Sequence, residues 1–445
     1  MFDNILGQAA AERLAADITG GAMAPSMLFS GPPASGKGTA ALELGRVISC
    51  EQGEGRWSCA CPACARHRLL LHPDLMALGS RPFSAEIAAA LHACYREPEA
   101  PHTRTLFIRA ARKLLLRFSP TLLEDDPKLA KLVPLITALN EDLEELDFEG
   151  EGLDQAKFKK RGDAVLKSAF KLEAGGMGDT IPVGHIRRAA YWSRLAPAGR
   201  RKLLLIENAD RMQESGRNAL LKILEEPPER AVIVLTTAHS GAMLPTILSR
   251  LRPYRFYPRG ADIENEVIRR VFRDSGAGEP PPGMAGTGNR VTAYLDSFLP
   301  VPDERIAALA AFFAASLAYQ AALALRNRGP LPEALVALGK RAAPLAEAAG
   351  MEKSGDGSLT AAQIVAGAER FDAPGLFSRF LAALLSLVSE SLCGELAAGP
   401  GGIALADACR RLSAEAASSV NVYNQSPALV LERYSAEFRR IAAAL

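Results

Sequence analysis

Residues 27–49 of this 445-residue chain have the sequence MLFSGPPASGKGTAALELGRVIS, in which an apolar segment precedes a loop rich in glycine and proline. The pattern predicts a strand over Met27–Phe29, then the loop, and a helix from about Lys37. Gly31, Gly36 and Lys37 have the spacing G-x-x-x-x-G-K, in which backbone N–H groups surround phosphate oxygens and the lysine neutralises their charge. The stretch therefore predicts a nucleotide phosphate site in an α/β fold with a parallel sheet.

The predicted phosphate loop departs from the usual pattern directly after its lysine. A hydroxyl side chain is expected there to hold Mg²⁺, but position 38 is glycine and threonine follows at position 39. We therefore expect that ATP can bind but that its hydrolysis is weak or absent. The same Gly-Lys-Gly-Thr ending is similar to the loop of adenylate-kinase-like phosphotransferases, which are one alternative. The residues predicted to contact the nucleotide are Gly31, Pro32, Pro33, Ala34, Ser35, Gly36, Lys37, Gly38 and Thr39.

A second informative stretch covers residues 201–256 and begins RKLLLIENADRMQESGRNALLKILEEPP. Its first part predicts a buried strand over Leu203–Ile206 that ends in Glu207 and Asn208. Its second part predicts an amphipathic helix that Pro227 ends. A carboxylate directly after a buried strand is typical of the acidic strand of nucleotide hydrolases.

These motifs resemble the clamp-loader subunits of bacterial DNA polymerase III, which belong to the AAA+ class. The string IENADRM looks more like delta-prime subunits than like the gamma/tau motor, and NALLKILEEPP is similar to a hallmark of the whole family. The string FDNILGQ at residues 2–8 is similar to the family's entry segment. In the motor subunits the acidic strand ends in an Asp-Glu pair, whose aspartate supports Mg²⁺ and whose glutamate orients the attacking water. The resemblance implies that Glu207 is a degenerate remnant of that pair and that Asn208 cannot accept the proton.

Two further residues acquire roles only through this resemblance. Thr237, after a predicted strand over Ala231–Leu235, lies where the family has a polar sensor near the terminal phosphate. Ser249 and Arg250 match the family's Ser-Arg-Cys motif, with leucine in place of the cysteine. Arg250 is then implied to be an arginine finger, which stabilises the charge of the transferring phosphoryl group in a neighbouring subunit.

Four cysteines, Cys50, Cys59, Cys61 and Cys64, lie within fifteen residues directly after the phosphate-loop helix. In a reducing compartment such a cluster is typical of a structural zinc site, and clamp-loader subunits have a zinc knuckle at this position. The spacing C-x8-C-x1-C-x2-C is one residue shorter than the family pattern. His67 or His72 could therefore replace one ligand, and a cluster without metal is the alternative.

Between about residues 81 and 180 lies an insertion that shorter family members lack. Its charges are arranged in blocks, with an acidic block at 141–154 between two basic ones. We expect amphipathic helices whose opposite charges compensate each other in solvent, and a DNA- or partner-binding appendage is the alternative. The first basic block contains Arg104, Arg109, Arg112, Lys113 and Arg117.

The remaining chain predicts helices. The phosphate-loop domain is expected to span residues 1–258, with a zinc knuckle at 50–64 and the insertion at about 81–180, followed by a small helical lid at 259–300. From residue 301 to 445 the chain is rich in alanine and leucine with helical periodicity. By resemblance this part is an all-helical collar, in which Leu429, Leu431 and Tyr434 pack between subunits.

Composition restricts location and partners. The formal net charge is +2, so the chain as a whole has no strong electrostatic attraction for nucleic acid. We expect no membrane-spanning stretch, and Met1–Gln8 lacks the features of a signal peptide. The sequence therefore predicts a cytoplasmic protein.

The combined expectation is a delta-prime-like clamp-loader subunit that assists ATP-dependent loading of the sliding clamp onto primed DNA. It would supply Arg250 in trans and have weak or no ATPase activity of its own. The implied cofactors are ATP and Zn²⁺, with Mg²⁺ unsettled, and the implied partners are gamma/tau, delta, the sliding clamp and primer-template DNA. An active gamma/tau-type ATPase is the main alternative.

Overall fold

The computed structural model divides into two compact units, one formed by the described residues up to Phe298 and the other by those from Leu299 onward. It describes residues 1–124, 130–148, 154–178, 180–275, 289–299, 301, 303–326, 331–348, 360–368, 374–392, 400–421 and 425–444.

The first unit contains, within the described residues, a five-stranded parallel sheet in the order β2-β3-β4-β1-β5. Its strands are β1 (Ser26–Ser30), β2 (Leu75–Gly79), β3 (Lys202–Glu207), β4 (Ala231–Thr237) and β5 (Arg252–Arg255). The predicted α/β class with a parallel sheet is thus confirmed.

Helices cover both faces of this sheet and continue into the insertion. They are α1 (Ala9–Thr19), α2 (Lys37–Ser49), α3 (Pro62–Arg68), α4 (Ser84–Arg96), α5 (Pro101–Leu115), α6 (Pro120–Leu123), α7 (Val133–Phe148), α8 (Gln155–Gly176), α9 (Val183–Arg194), α10 (Glu214–Glu225), α11 (Pro245–Leu248), α12 (Ala261–Phe272) and α13 (Arg290–Asp296).

The central strands are apolar on both faces, which is why they form a sheet buried between two helical layers. In β3, Leu203 and Leu205 join one core cluster, while Leu204 and Ile206 join the cluster on the opposite face. The outer strand β5 is exposed at three of its four residues and contains Pro253, which a sheet tolerates at an edge.

The insertion is helical, as predicted, and has a core of its own. Side chains from α4, α5, α7 and α8 form one buried cluster that includes Phe107, Leu139 and Val165. Part of the predicted charge compensation is present, because Arg112 pairs with Asp147 at 3.1 Å and Arg161 pairs with Glu145. The opposite face of α4 packs on α12 and α13, so the insertion also holds the helices predicted as a lid.

The second unit is helical throughout its described residues, in agreement with the prediction for the C-terminal third. One apolar core, which contains Phe313, Phe380 and Tyr434, joins its helices. Leu431 and Tyr434 lie in this core, so their predicted role between subunits is wrong, whereas Leu429 is exposed. The helices are α14 (Asp303–Leu325), α15 (Glu333–Ala348), α16 (Ala361–Ala368), α17 (Pro374–Leu392), α18 (Pro400–Asn421) and α19 (Pro427–Ala442).

The expectation about membrane spans needs a correction at α14. Within the described residues, this helix is long and apolar enough over 304–325 to cross a bilayer by length and composition. However, 56% of that window is buried inside the fold, and the core helix of a soluble protein passes the same test. The helix is therefore weak evidence for a membrane span.

Candidate functional site

The predicted phosphate loop, Glu207 and Thr237 meet at one edge of the sheet. The parallel strands β1, β4 and β3 are neighbours, and their carboxyl ends carry Ser30, Thr237 and Glu207. In open α/β sheets, ligands bind outside the carboxyl ends of the strands. The topology thus brings the loop after β1, the predicted sensor and the predicted acidic residue to the same place.

The loop between β1 and α2 depends on two glycines. Gly31 has φ +153°, and a Cβ atom there would lie 2.1 Å from the carbonyl oxygen of Phe256, so a side chain cannot fit. Gly36 has φ +95° and precedes the first residue of α2. These conformations place the loop over the N-terminus of α2, where N–H groups and the helix dipole favour an anion.

Lys37 lies across its own loop. Its Nζ donates hydrogen bonds of 2.5 Å to the carbonyl oxygens of Gly31 and Pro32, and a longer one of 3.3 Å to Ser35 Oγ. Burial, with help from the positive charge of Arg81, lowers the pKa of Lys37 to about 8, although Glu207 and Asp210 oppose the shift. The ammonium group of the lysine is therefore positioned at the loop, where it can approach phosphate oxygens.

The space beside Gly38 is filled by a carboxylate and a guanidinium. A Cβ atom on Gly38 would lie 2.6 Å from Glu207 Oε1 and 3.4 Å from Arg81 Nη1. A serine or threonine at this position would collide with Glu207 as it is now held. The missing hydroxyl and the position of Glu207 are therefore one structural feature.

Glu207 is held by two arginines that come from the start and the first basic block of the insertion. Arg117 Nη2 donates to Glu207 Oε2, and Arg81 Nη1 donates to Oε1 at 3.3 Å. Burial opposes ionisation of Glu207, but the charges of Arg117 and Arg81 outweigh it and lower the pKa of the carboxyl. The carboxylate is consequently charged and already neutralised by protein cations.

The same network continues to Glu86 on α4. Glu86 accepts from Arg81 Nη2 at 2.6 Å and from Lys113 Nζ. Despite burial, the charges of Lys113 and Arg81 lower the pKa of Glu86 to about 2. Both guanidiniums also contact the ring of Phe83, with the ring centroid 4.9 Å from Arg81 and 5.2 Å from Arg117. The predicted charge compensation is present here too, but the expectation that the charges are solvated is wrong for Glu86, Lys113 and Arg117, whose side chains are mostly buried.

Asn208 and Thr237 complete the sheet edge. Asn208 follows β3 in the left-handed region, with φ +53°, a conformation that asparagine tolerates better than most residues. Thr237 Oγ1 donates to Asp210 Oδ1 at 2.5 Å and accepts from His239 N at 2.9 Å. The backbone carbonyl of Thr237 also accepts from Gly31 N, so the predicted sensor contacts the loop through its main chain.

Arg250 lies away from this network, on the exposed part of the first unit. It follows α11 and donates to Glu225 Oε1 at 2.8 Å and to the carbonyl oxygen of Thr246 at 2.7 Å. Its side chain is 34% exposed, and that of Glu225 is 50% exposed. The two motifs that carry the family resemblance, at residues 218–228 and 249–250, are thus joined by an ion pair.

Arg259 is a residue at this site that the sequence reasoning missed. Its Nη1 donates to the carbonyl oxygen of Ala34 at 2.6 Å, and its Nε donates to that of Leu6 at 2.9 Å. Nearby, the Gln8 amide exchanges hydrogen bonds with the backbone of Tyr257. Hydrogen bonds therefore connect the entry segment, the phosphate loop and the segment before α12. The signal for this in the sequence was the similarity of residues 2–8 to the family's entry segment.

The four predicted zinc ligands come together in a separate place. Cys50 ends α2, Cys61 precedes α3, and the Sγ atoms of all four cysteines lie within 4.8 Å of one another. Arg46, on α2, donates to Cys64 Sγ at 3.2 Å. Although burial opposes thiolate formation, backbone N–H donors lower the pKa of Cys61 to about 6.

The two histidines considered as replacement ligands contact each other. The rings of His67 and His72 stack with their centroids 4.1 Å apart, and neither belongs to the four-sulfur group among the described residues. The shortened cysteine spacing therefore still closes a four-cysteine cluster. The donor set suits Zn²⁺, because four thiolates around zinc at about 2.3 Å would stand roughly 3.8 Å apart, and Cys50 and Cys59 are 3.6 Å apart.

Comparison with known proteins finds one family model that matches part of this chain. The family model described as "DNA polymerase III, delta subunit" matches residues 160–259, which include Glu207, Thr237 and Arg250. The delta-prime subunit of DNA polymerase III from Pseudomonas aeruginosa is 38% identical over 109 residues, or 24% of this chain and 33% of that protein. The part of the chain around residues 160–259 is therefore similar to DNA polymerase III clamp-loader subunits.

Clamp-loader relatives of the other kind match as well. Subunit tau from Escherichia coli is 30% identical over 154 residues, which are 32% of this chain and 24% of that protein. Subunit gamma/tau from Mycobacterium bovis is 28% identical over 106 residues, which are 24% of this chain and 18% of that protein. The matched stretches thus span between 18% and 33% of these clamp-loader subunits, so they do not separate the delta-prime kind from the gamma/tau kind.

Proposed function

We propose that the chain is a delta-prime-like clamp-loader subunit that does not hydrolyse ATP and that assists loading of the sliding clamp onto primed DNA. The observation that carries the proposal is the filled space beside Gly38, where Glu207 is held by Arg81 and Arg117. Hydrolysis in this class of site needs a hydroxyl and a carboxylate for Mg²⁺ and a second group that orients water. None of the three is met here. Gly38 has no hydroxyl, Glu207 is already held by two arginines, and Asn208 stands where the water-orienting glutamate would be.

The two alternatives explain fewer observations. A gamma/tau-type motor would need Glu207 to leave two arginines and Gly38 to carry a hydroxyl. An adenylate-kinase-like phosphotransferase accounts for the Gly-Lys-Gly-Thr ending but not for the family match over residues 160–259 or for the cysteine cluster. The delta-prime-like interpretation accounts for the phosphate loop, the acidic strand that lacks its second carboxylate, and the family match together.

Arg250 is proposed as the chain's contribution to a neighbour's active site. The guanidinium lies on the exposed part of the first unit, and its partner Glu225 is itself half-exposed. An exposed ion pair of this kind contributes only about 0.2–1 kcal/mol, so a bound nucleotide in a neighbouring subunit could replace Glu225 as the partner. The proposed neighbours are gamma/tau and delta, with the clamp and primer-template DNA reached through the assembled complex. Residues 259–300 are proposed as the lid and 301–445 as the collar, in a cytoplasmic complex.

The cysteine cluster is proposed as a structural zinc site. Zinc would hold Cys50, Cys59, Cys61 and Cys64 as thiolates and stabilise a segment whose buried cluster consists of these cysteines and Ala63. Arg46 would keep its hydrogen bond to Cys64 and so connect the site to α2, the helix that begins at Lys37.

Steady-state ATP hydrolysis tests the proposed function. It should be measured with primed DNA and clamp for this chain alone, for its motor and delta partners, and for the full mixture. We expect no activity alone and a rise on mixing that Arg250→Ala abolishes and Lys37→Ala leaves nearly intact. The matched control is Arg252→Ala, which removes another exposed arginine next to the motif. Robust hydrolysis by the purified chain, or equal losses for the Lys37 and Arg250 variants, would refute the division of roles.

A further inference from the structure

Three cations from separate parts of the chain surround the phosphate loop. Lys37 lies at the start of α2, Arg81 follows β2, and Arg259 precedes α12. Arg259 contacts the loop at Ala34, and its Nη2 lies 2.8 Å from where a Cβ on Gly36 would be. Positive charge beyond the loop lysine is therefore built into the site by segments distant in sequence.

Arg81 lies beside the position from which a metal-holding side chain at residue 38 would extend. Its Nη1 is 3.4 Å from the position of a Cβ on Gly38, and its charge contributes to the lowered pKa of Lys37, so the two cations are close. A guanidinium has five N–H donors, and the contacts to Glu86 and Glu207 leave donors for a further anion. Planar guanidinium groups bind phosphate oxygens in pairs, which a lysine cannot do.

The residues do not fit Mg²⁺. To coordinate the ion, Glu207 would have to give up charge-assisted hydrogen bonds from both Arg81 and Arg117. Arg117 is held firmly, because its side chain is only 5% exposed and it lies against Phe83. A divalent cation would also be placed next to three protein cations, which repel it.

Arg117 supplies a second, independent observation. Its Nε and Nη1 are buried and have no hydrogen-bond partner among the described residues. A buried guanidinium with unused donors contributes positive potential that a bound anion would satisfy. The site thus has more positive charge than Glu207 and Glu86 neutralise.

We infer that the loop binds a nucleoside di- or triphosphate without a divalent cation, and that Arg81 takes the place of Mg²⁺ beside the terminal phosphates. The inference rests on the proposed function only in assigning nucleotide to the phosphate loop. Bound nucleotide is then a structural ligand, because the charge on its phosphates is neutralised in a site that lacks the groups for hydrolysis.

Isothermal titration calorimetry of the full chain with ADP and with ATP tests this inference. Titrations are made in excess EDTA and again in excess Mg²⁺, with wild-type protein, Arg81→Gln and Arg81→Lys. We expect the wild-type Kd to agree within about twofold between the two conditions, and Arg81→Gln to weaken it at least about tenfold in both. Arg81→Lys should recover part of the affinity, because the charge remains while paired donation is lost.

The control is Arg161→Gln, which removes an insertion arginine that pairs with Glu145 away from the loop. It should bind as wild type does, and circular dichroism should show all variants folded. Tight binding only with Mg²⁺, unchanged binding by Arg81→Gln, or no binding by wild-type protein would each overturn the inference. None of these outcomes bears on whether Arg250 stimulates hydrolysis in the assembled complex, so the proposed function fails or stands separately.

Discussion

Removing Arg117 should cost the first unit much of its stability. Arg117 and Glu207 are 5% and 6% exposed, and breaking such a buried pair from one side typically costs about 3–5 kcal/mol. Arg81 still faces Glu207 in the Arg117→Met variant, so we expect the lower end, about 3 kcal/mol. In the double variant with Glu207→Gln neither charge is left unpaired. The combined loss should therefore be smaller than the sum of the single losses by about 2 kcal/mol.

Urea unfolding followed by tryptophan emission measures this loss in the relevant unit. The chain has two tryptophans, Trp57 and Trp192, and both lie in the first unit. With a denaturant slope of about 2–3 kcal/mol per molar, a loss of about 3 kcal/mol moves the midpoint by roughly 1–1.5 M. The emission change therefore reports the Arg117 site without interference from the helical second unit.

The matched control is Arg161→Met, because that arginine pairs with Glu145 on the partly exposed part of the insertion. We expect its effect to stay within about 0.5 kcal/mol. An equally small effect of Arg117→Met would show that Arg117 is not a buried partner of Glu207. Strictly additive losses in the double variant would show the same.

Three further predictions concern ionisation and metal. Because the pKa of Glu86 is lowered to about 2 in the folded state, its contribution of about 3 kcal/mol is complete above the unfolded value near 4.3. It is lost as the pH falls toward about 2, and acid unfolding curves of Glu86→Gln should lack that part of the pH dependence. Because the pKa of Lys37 is about 8, binding of ATP above that pH should take up a proton. Calorimetry in buffers of different ionisation enthalpy should detect this proton for wild-type protein and not for Lys37→Met. Elemental analysis should find one zinc per chain, retained by Cys409→Ser and lost from Cys64→Ser, and chelation should lower the Tm of the first unit only. A retained zinc in the Cys64 variant would contradict the four-cysteine site.

The parts of the fold that could be predicted are those whose signal is local. Two stretches show this, the strand, loop and helix at residues 26–49 and the strand 202–207. In each, an apolar run is followed by a residue that marks its end, a glycine in the first and a carboxylate in the second. The cysteine cluster was predictable for the same reason, since all four ligands lie within fifteen residues. In each case the interacting groups are close in sequence, so spacing alone indicates the contact.

The charge network at Glu207 could not be predicted, because its partners are distant in sequence. Arg81 is 126 positions from Glu207 and Arg117 is 90 positions from it. The blocks of charge suggested compensation inside the insertion, which is present for Arg112 and Arg161, but they gave no sign that other members of the same block turn toward the sheet. Similarly, the contact of α4 with α12 and α13, the helices predicted as a lid, uses Ala89 and Ala93, which have little hydrophobic signal of their own.

The departures from the hydrolysing pattern at positions 38 and 207 are therefore not independent of each other. Glycine at 38 leaves room for Glu207 Oε1, and the two arginines stabilise the carboxylate that fills that room. A hydroxyl at position 38 alone would collide with Glu207, and removal of Arg117 alone would leave a buried carboxylate short of one partner. Hydrolysis would need three changes at once: a hydroxyl at position 38, release of Glu207 from Arg117, and a proton acceptor at position 208. A change at position 38 or at Arg117 alone would cost stability before it restored any chemistry, so the insertion would make the proposed loss of ATPase activity difficult to reverse.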